Sequence, residues 1–119
     1  MKTLVIKVKR WLHGGRSPSQ LRNKAGSMCC LGFLARDCGA SVKDIEEKST
    51  PGNTTGIGIK WPQKILRKAG HYSYDFTELN TTLSHEIMRV NDNKNLPLAE
   101  KQSELKKLFL QIGYRLTFK

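Results

Sequence analysis

The 119-residue sequence has no apolar run able to cross a bilayer. Its longest charge-free apolar stretch lies around residues 28–35, far short of the roughly 20 residues a membrane helix requires. A secretory leader is equally absent from the pattern, because residues 1–11 alternate apolar and basic side chains where a leader needs a continuous apolar segment. These absences lead us to expect a soluble, cytoplasmic protein with no membrane partner. Internal repeats, linkers and low-complexity stretches are missing too, and the length suits one domain, 1–119, with a single core.

The usual enzyme signatures are also lacking. There is no phosphate-binding loop, nucleophile elbow or dinucleotide fingerprint; Gly56-Ile57-Gly58 has neither the third glycine nor the following helix and reads as a turn. The carboxylates Asp37, Asp75, Glu78, Glu86 and Asp92 show no spacing that would pair them for acid–base work. Cysteine is scarce and odd in number: Cys29, Cys30 and Cys38. An odd count argues against a secreted disulfide scaffold. The spacing from Cys30 to Cys38 does not suit zinc, and His13, His71 and His85 are scattered, so no metal or other cofactor is expected.

One chemistry needs weighing. Cys29 and Cys30 fall where a helix should begin, and a helix N-terminus lowers a thiol's pKa. A cysteine-dependent hydrolase using Cys29 or Cys30, with His13, His71 or His85 as base, is therefore an alternative reading. Against it stands the apolar setting Met28-Cys29-Cys30-Leu31-Gly32-Phe33-Leu34, which is that of core cysteines. The expectation is that the protein is not an enzyme.

What the chain does have is positive charge, unevenly placed. The net charge is +11, residues 1–38 supply +7 of it, and the first acid is Asp37. Such a region attracts polyanions. Lys7, Lys9, Arg10, Arg16, Arg22 and Lys24 are the candidate binding residues, with Trp11 as a candidate aromatic anchor or else a core residue.

The periodicities predict an α+β domain. Thr3–Lys9 alternates as a strand and Tyr114–Phe118 alternates again, able to pair with it. Between them a helix is expected over Met28–Cys38, capped by Ser27 and closed by Gly39. Gly32 in its interior costs about 1 kcal/mol against alanine, which suggests a close approach by another group. Ser41 and Asp44 form a capping box for a short helix. Ile57–Trp61 reads as a short strand, Pro62 opens a helix ending before Gly70, and Tyr72, Tyr74 and Phe76 alternate. Thr81 or Thr82 starts a helix carrying Leu83, Ile87, Met88 and Asn91 on one stripe. The last helix opens at Leu96-Pro97, carries Leu98, Leu105, Leu108, Phe109 and Ile112, and ends at Gly113. The expected architecture is a single compact domain of three to five helices packed on a small antiparallel sheet that includes the N- and C-terminal strands.

The Cys29-Cys30-Leu31-Gly32 helix, Trp61-Pro62 and the late turn Val90-Asn91-Asp92 together resemble small proteins common in phage and prophage genomes, over about residues 11–113. The resemblance carries no catalytic residue over. It implies a phage-encoded accessory protein in a bacterial cytoplasm, serving host takeover or counter-defence such as anti-CRISPR action. Its partner would be an acidic protein surface or nucleoprotein complex of the host, met by the basic N-terminal face. Direct DNA or RNA binding is the alternative.

Overall fold

Two short strands carry the first and last described segments of the chain, and they lie side by side. In the computed structural model, which describes residues 1–14, 20–48, 51–54, 58–66 and 82–119, β1 (Lys2–Ile6) pairs with β2 (Tyr114–Phe118). The partners are the expected ones, but their direction is parallel, with Lys2 opposite Tyr114 and Ile6 opposite Phe118. The expectation of an antiparallel sheet is thus corrected. Period-2 alternation is the same for either direction, so direction is set by where the preceding helix delivers the chain. Helix α4 (Leu98–Leu110) ends just before Gly113, whose carbonyl accepts from the Lys2 amide at 3.3 Å, so β2 starts beside the start of β1.

The inner face of this ribbon carries Leu4, Ile6, Tyr114 and Leu116, all buried. Against it pack α1 (Cys30–Asp37), on β1, and α4, on β2; α3 (Leu83–Asp92) packs on both helices. Leu31, Leu34, Ile87, Leu105 and Phe109 have no exposure, and they fill the space between these elements. The described residues form one compact body with a radius of gyration of 13.4 Å.

Helix ends follow local chemistry in most places. The capping box forms at α2 (Val42–Ile45): the Asp44 amide donates to Ser41 Oγ at 3.3 Å and the Ser41 amide to Asp44 Oδ2 at 2.9 Å. Thr82 caps α3 by accepting from the His85 amide. Ser27 does not cap α1. Its amide is taken by Asn23 Oδ1 at 2.9 Å within a closed 23–27 turn, and the helix starts later, with Cys29 as its extended N-cap. The Met28–Cys38 expectation is shortened accordingly.

Gly32 has the close approach its position suggested. A Cβ there would overlap the Leu21 carbonyl oxygen and lie 2.8 Å from Met28 Cβ. The segment 20–22 is held there by hydrogen bonds from Cys29 N to Gln20 O (3.1 Å), Leu21 N to Lys48 O (2.7 Å) and Glu47 N to Arg22 O (2.7 Å).

Residues 58–61 are not a strand, and of the helix after Pro62 a 3-10 turn, Gln63–Leu66, is described. Residues 67–70 and the aromatic alternation at 71–76 lie outside the described residues. No helix among the described residues is long and apolar enough to cross a membrane.

Candidate functional site

Alternation along β1 and β2 sends one residue in two outward. On β1 these are Thr3 and Val5, followed by Lys7, whose backbone remains extended (φ −79°, ψ 111°). On β2 they are Arg115 and Thr117, followed by Lys119, whose amide donates to Ile6 O at 2.8 Å and so continues the ladder. Thr3 lies opposite Arg115 and Val5 opposite Thr117. Beyond Lys7 the chain makes a 3-10 turn, Val8–Arg10, with Lys9 and Arg10 exposed.

Because the strands are parallel, their carboxyl ends coincide. Lys119 therefore stands at the same end of the sheet as Lys7, Lys9 and Arg10; antiparallel pairing would have sent it to the opposite end. The outward positions and the turn contain no acidic side chain. Among the described residues no ion pair engages Lys7, Lys9, Arg10, Arg115 or Lys119.

The other sequence-chosen residues divide. Arg22 lays its guanidinium against Met28, with Nη1 3.9 Å from Sδ, and Met28 N donates to Arg10 O at 2.8 Å, so Arg22 and Arg10 flank one residue. Lys24 pairs with Glu47 at 3.6 Å, both exposed, and such pairs are worth little but locally cancel the charge. Arg16 lies outside the described residues. Arg115 and Lys119 were missed by the sequence reading, although the alternation of Tyr114–Phe118 already marked 115 as an outward position.

Trp11 is not a surface anchor. It is 5% exposed, its ring lies 4.8 Å from that of Phe118, and its Nε1 donates to Asn91 Oδ1 at 2.8 Å. Asn91, wholly buried, also accepts from the Cys30 amide (3.3 Å), and its Nδ2 donates to Leu12 O (2.8 Å) and Asp92 Oδ1 (2.9 Å). One side chain thus ties the N-terminal segment, α1 and α3 together. Lys101 on α4 completes the arrangement: only 3% exposed, it donates from Nζ to His13 O at 2.6 Å. Burial lowers its pKa, opposed by the nearby Asp92 and Cys30. Burial, then the Lys101 charge, lowers that of His13.

The same geometry removes the nucleophile reading. Cys29 and Cys30 have no exposure. Burial pushes the Cys29 thiol up to about 12, and burial, then the neighbouring Cys29 and Asp92, holds Cys30 well above its ordinary value. A catalytic thiol must be reachable and ionised, so both are core residues. His85 is exposed on α3, and His71 lies outside the described residues. Cys38 is half-buried in the wall of a cleft of about 620 Å³, with Sγ 3.7 Å from Tyr114 Oη, which donates to Asp37 Oδ2 at 3.1 Å. Burial above all, then Asp37, raises the Cys38 pKa against the opposing Tyr114 hydrogen bond and Lys2, so this thiol is not activated either. Among the described residues no cluster of three or more His, Cys, Asp or Glu side chains is placed to hold a metal ion.

Thiol labelling checks these placements. Under native conditions a maleimide should modify Cys38 slowly and leave Cys29 and Cys30 untouched, whereas all three should react in denaturant. Rapid native labelling at 29 or 30 by mass mapping would contradict their burial.

No family model, curated protein or solved structure matches the chain. What defines the molecule is therefore its own geometry: a small α+β domain with an apolar, cysteine-containing core and one basic sheet face.

Proposed function

We propose that the chain is a non-enzymatic accessory protein that docks by its basic N-terminal face, extended by β2, on an acidic surface of a larger assembly, a host nucleoprotein before all. One observation carries this reading. Lys7, Lys9, Arg10, Arg115 and Lys119 are exposed, no acidic side chain among the described residues pairs with them, and they project from the hydrogen-bonded ribbon or from the turn that directly follows β1. A one-signed patch on a rigid support attracts acidic partners and speeds encounter with them. Its phage-encoded, counter-defence setting in a bacterial cytoplasm rests on the motif resemblance alone. The buried thiols leave the hydrolase alternative without support.

Charge reversal at matched net charge tests the reading. The triple variant Lys7→Glu, Lys9→Glu, Arg10→Glu should bind a heparin matrix at least about tenfold more weakly than the unaltered chain. The control Lys94→Glu, Lys106→Glu, Lys107→Glu changes the net charge equally at exposed sites near and on α4, and it should retain most of the binding. Equal losses in both variants would show that binding follows total charge, and the docking face would be abandoned.

A further inference from the structure

Resting on that docking reading, we propose that the outward face of the β1–β2 ribbon takes the phosphate backbone of double-stranded nucleic acid, without base stacking. Three features of the face select this partner. The first is the type of cation. Lys7 and Lys119 stand at the carboxyl end of the ribbon, Lys9 and Arg10 on the exposed turn that follows it, and Arg115 beside Thr3 nearer its start. Lysine is depleted from protein–protein interface cores, whereas it serves as a point-charge phosphate binder.

The second is what accompanies the charge. The remaining outward positions are Thr3, Val5 and Thr117; among the described residues the exposed large apolar side chains near them are Val5 (38%), Val8 (37%) and, before the first strand, the unbranched Met1 (77%). A protein partner would need an aromatic or large aliphatic anchor, and Trp11 and Phe118 are turned inward against each other. Among the described residues no aromatic ring joins the outward face, so these elements offer no stacking platform of the kind on which single strands are held. Threonine hydroxyls and backbone amides, by contrast, are ordinary phosphate partners.

The third is dimension. At a rise of about 3.3 Å per residue, Arg115 and Lys119 stand about 13 Å apart along β2, with Lys7 on the neighbouring strand about 4.8 Å away. That row spans about two or three successive phosphates of a duplex strand, because the winding backbone separates neighbours by more than their axial repeat of about 3.4 Å. Contacts confined to phosphates carry no base information, so the binding is independent of sequence.

The experiment uses the full chain with three probes over a salt series: a short labelled duplex, its single strand, and polyglutamate, each followed by fluorescence anisotropy. The duplex should bind most tightly, with a scrambled duplex alike. Log affinity should fall against log salt with a slope of about −4, near 0.9 per neutralised phosphate. Arg115→Glu with Lys119→Glu should lower duplex affinity at least about tenfold and flatten the slope by about 2. The milder Arg115→Gln with Lys119→Gln should do the same in part, with the unfolding midpoint unchanged in both. Preference for the single strand overturns the inference, as does wild-type binding by the Arg115 and Lys119 variants. Binding to polyglutamate but not to the duplex overturns it while leaving the docking reading standing. Binding to none of the probes ends both.

Discussion

Replacing Gly32 by alanine should destabilise the domain by about 3 kcal/mol or more and lower its thermal midpoint by roughly 10 °C. In an isolated helix the same change would stabilise by about 1 kcal/mol, so the predicted sign is opposite to that of helix propensity. The reason is the Leu21 carbonyl, which occupies the space where the methyl group would go. That carbonyl belongs to a backbone segment fixed by hydrogen bonds to Cys29 and Lys48, and backbone yields less readily than a side-chain tip. Relief would require moving the 20–22 segment off α1 and opening both bonds. Gly39→Ala is the useful comparison. Nothing lies within 4 Å of its Cβ position, and only the φ of +93° opposes the change, at a cost of about 1 kcal/mol. Denaturant titration of the two variants should separate them clearly. Equal, small effects would mean that the 20–22 segment is not held against the helix.

Alkaline pH should unfold the protein by way of its core thiols. An unfolded Cys29 loses its proton near its ordinary pKa of 9.0, whereas the folded one keeps it until about 12, chiefly because burial penalises the thiolate. The folded state therefore holds more protons than the unfolded state across that interval, and stability falls as pH rises. The stabilisation is fully present below pH 9 and is lost by about pH 12. Three pH units correspond to about 4 kcal/mol for this one residue. Cys30, Cys38 and Tyr114 are shifted upward as well, first by burial in each case, and they act in the same direction. Lys101, shifted downward by burial, opposes them: its unfolded form binds the extra proton, so its contribution rises with pH until its ordinary value is passed. Urea midpoints measured from pH 9 upward should fall steeply. Cys29→Ala with Cys30→Ala should flatten that fall. An unchanged alkaline limb in the double variant would place the titrating groups elsewhere.

The helices were readable because their signals are local. The capping box at Ser41 and Asp44, the Thr82 cap and the closing Gly39 and Gly113 depend on neighbours within a turn. Even the presence of an intruder at Gly32 could be inferred from the residue type, though Leu21 could not be named. Periodicity failed where a polar contact outweighed it. The apolar stripe of α4 put Leu98 inside and left Lys101 out, yet Leu98 is 45% exposed and Lys101 is 3% exposed. The His13 carbonyl that receives the ammonium lies 88 residues away, and nothing in the helix's own sequence announces it.

The candidate face divides in the same manner. Lys7, Lys9 and Arg10 follow from a run of charge in one segment. Arg115 and Lys119 join them only once strand direction and register are known, because alternation assigns a side but not a neighbour. Trp11 shows the converse: an indole carries the same sequence signal whether it faces a ligand or an internal amide, and Asn91, eighty positions later, decides the matter.

The pairing of residues 2–6 with 114–118 also sets a time at which the basic face comes into being. A pairing between residues more than 100 positions apart closes a long loop, and such long-range parallel pairings are slow to form. During synthesis, which proceeds from the N-terminus at about 5–20 residues per second, Lys7, Lys9 and Arg10 leave the ribosome long before β2 exists. The first strand then has no neighbour, and Arg115 and Lys119 have not been made. The assembled surface therefore exists only once residues 114–119 have been made and β2 has paired with β1.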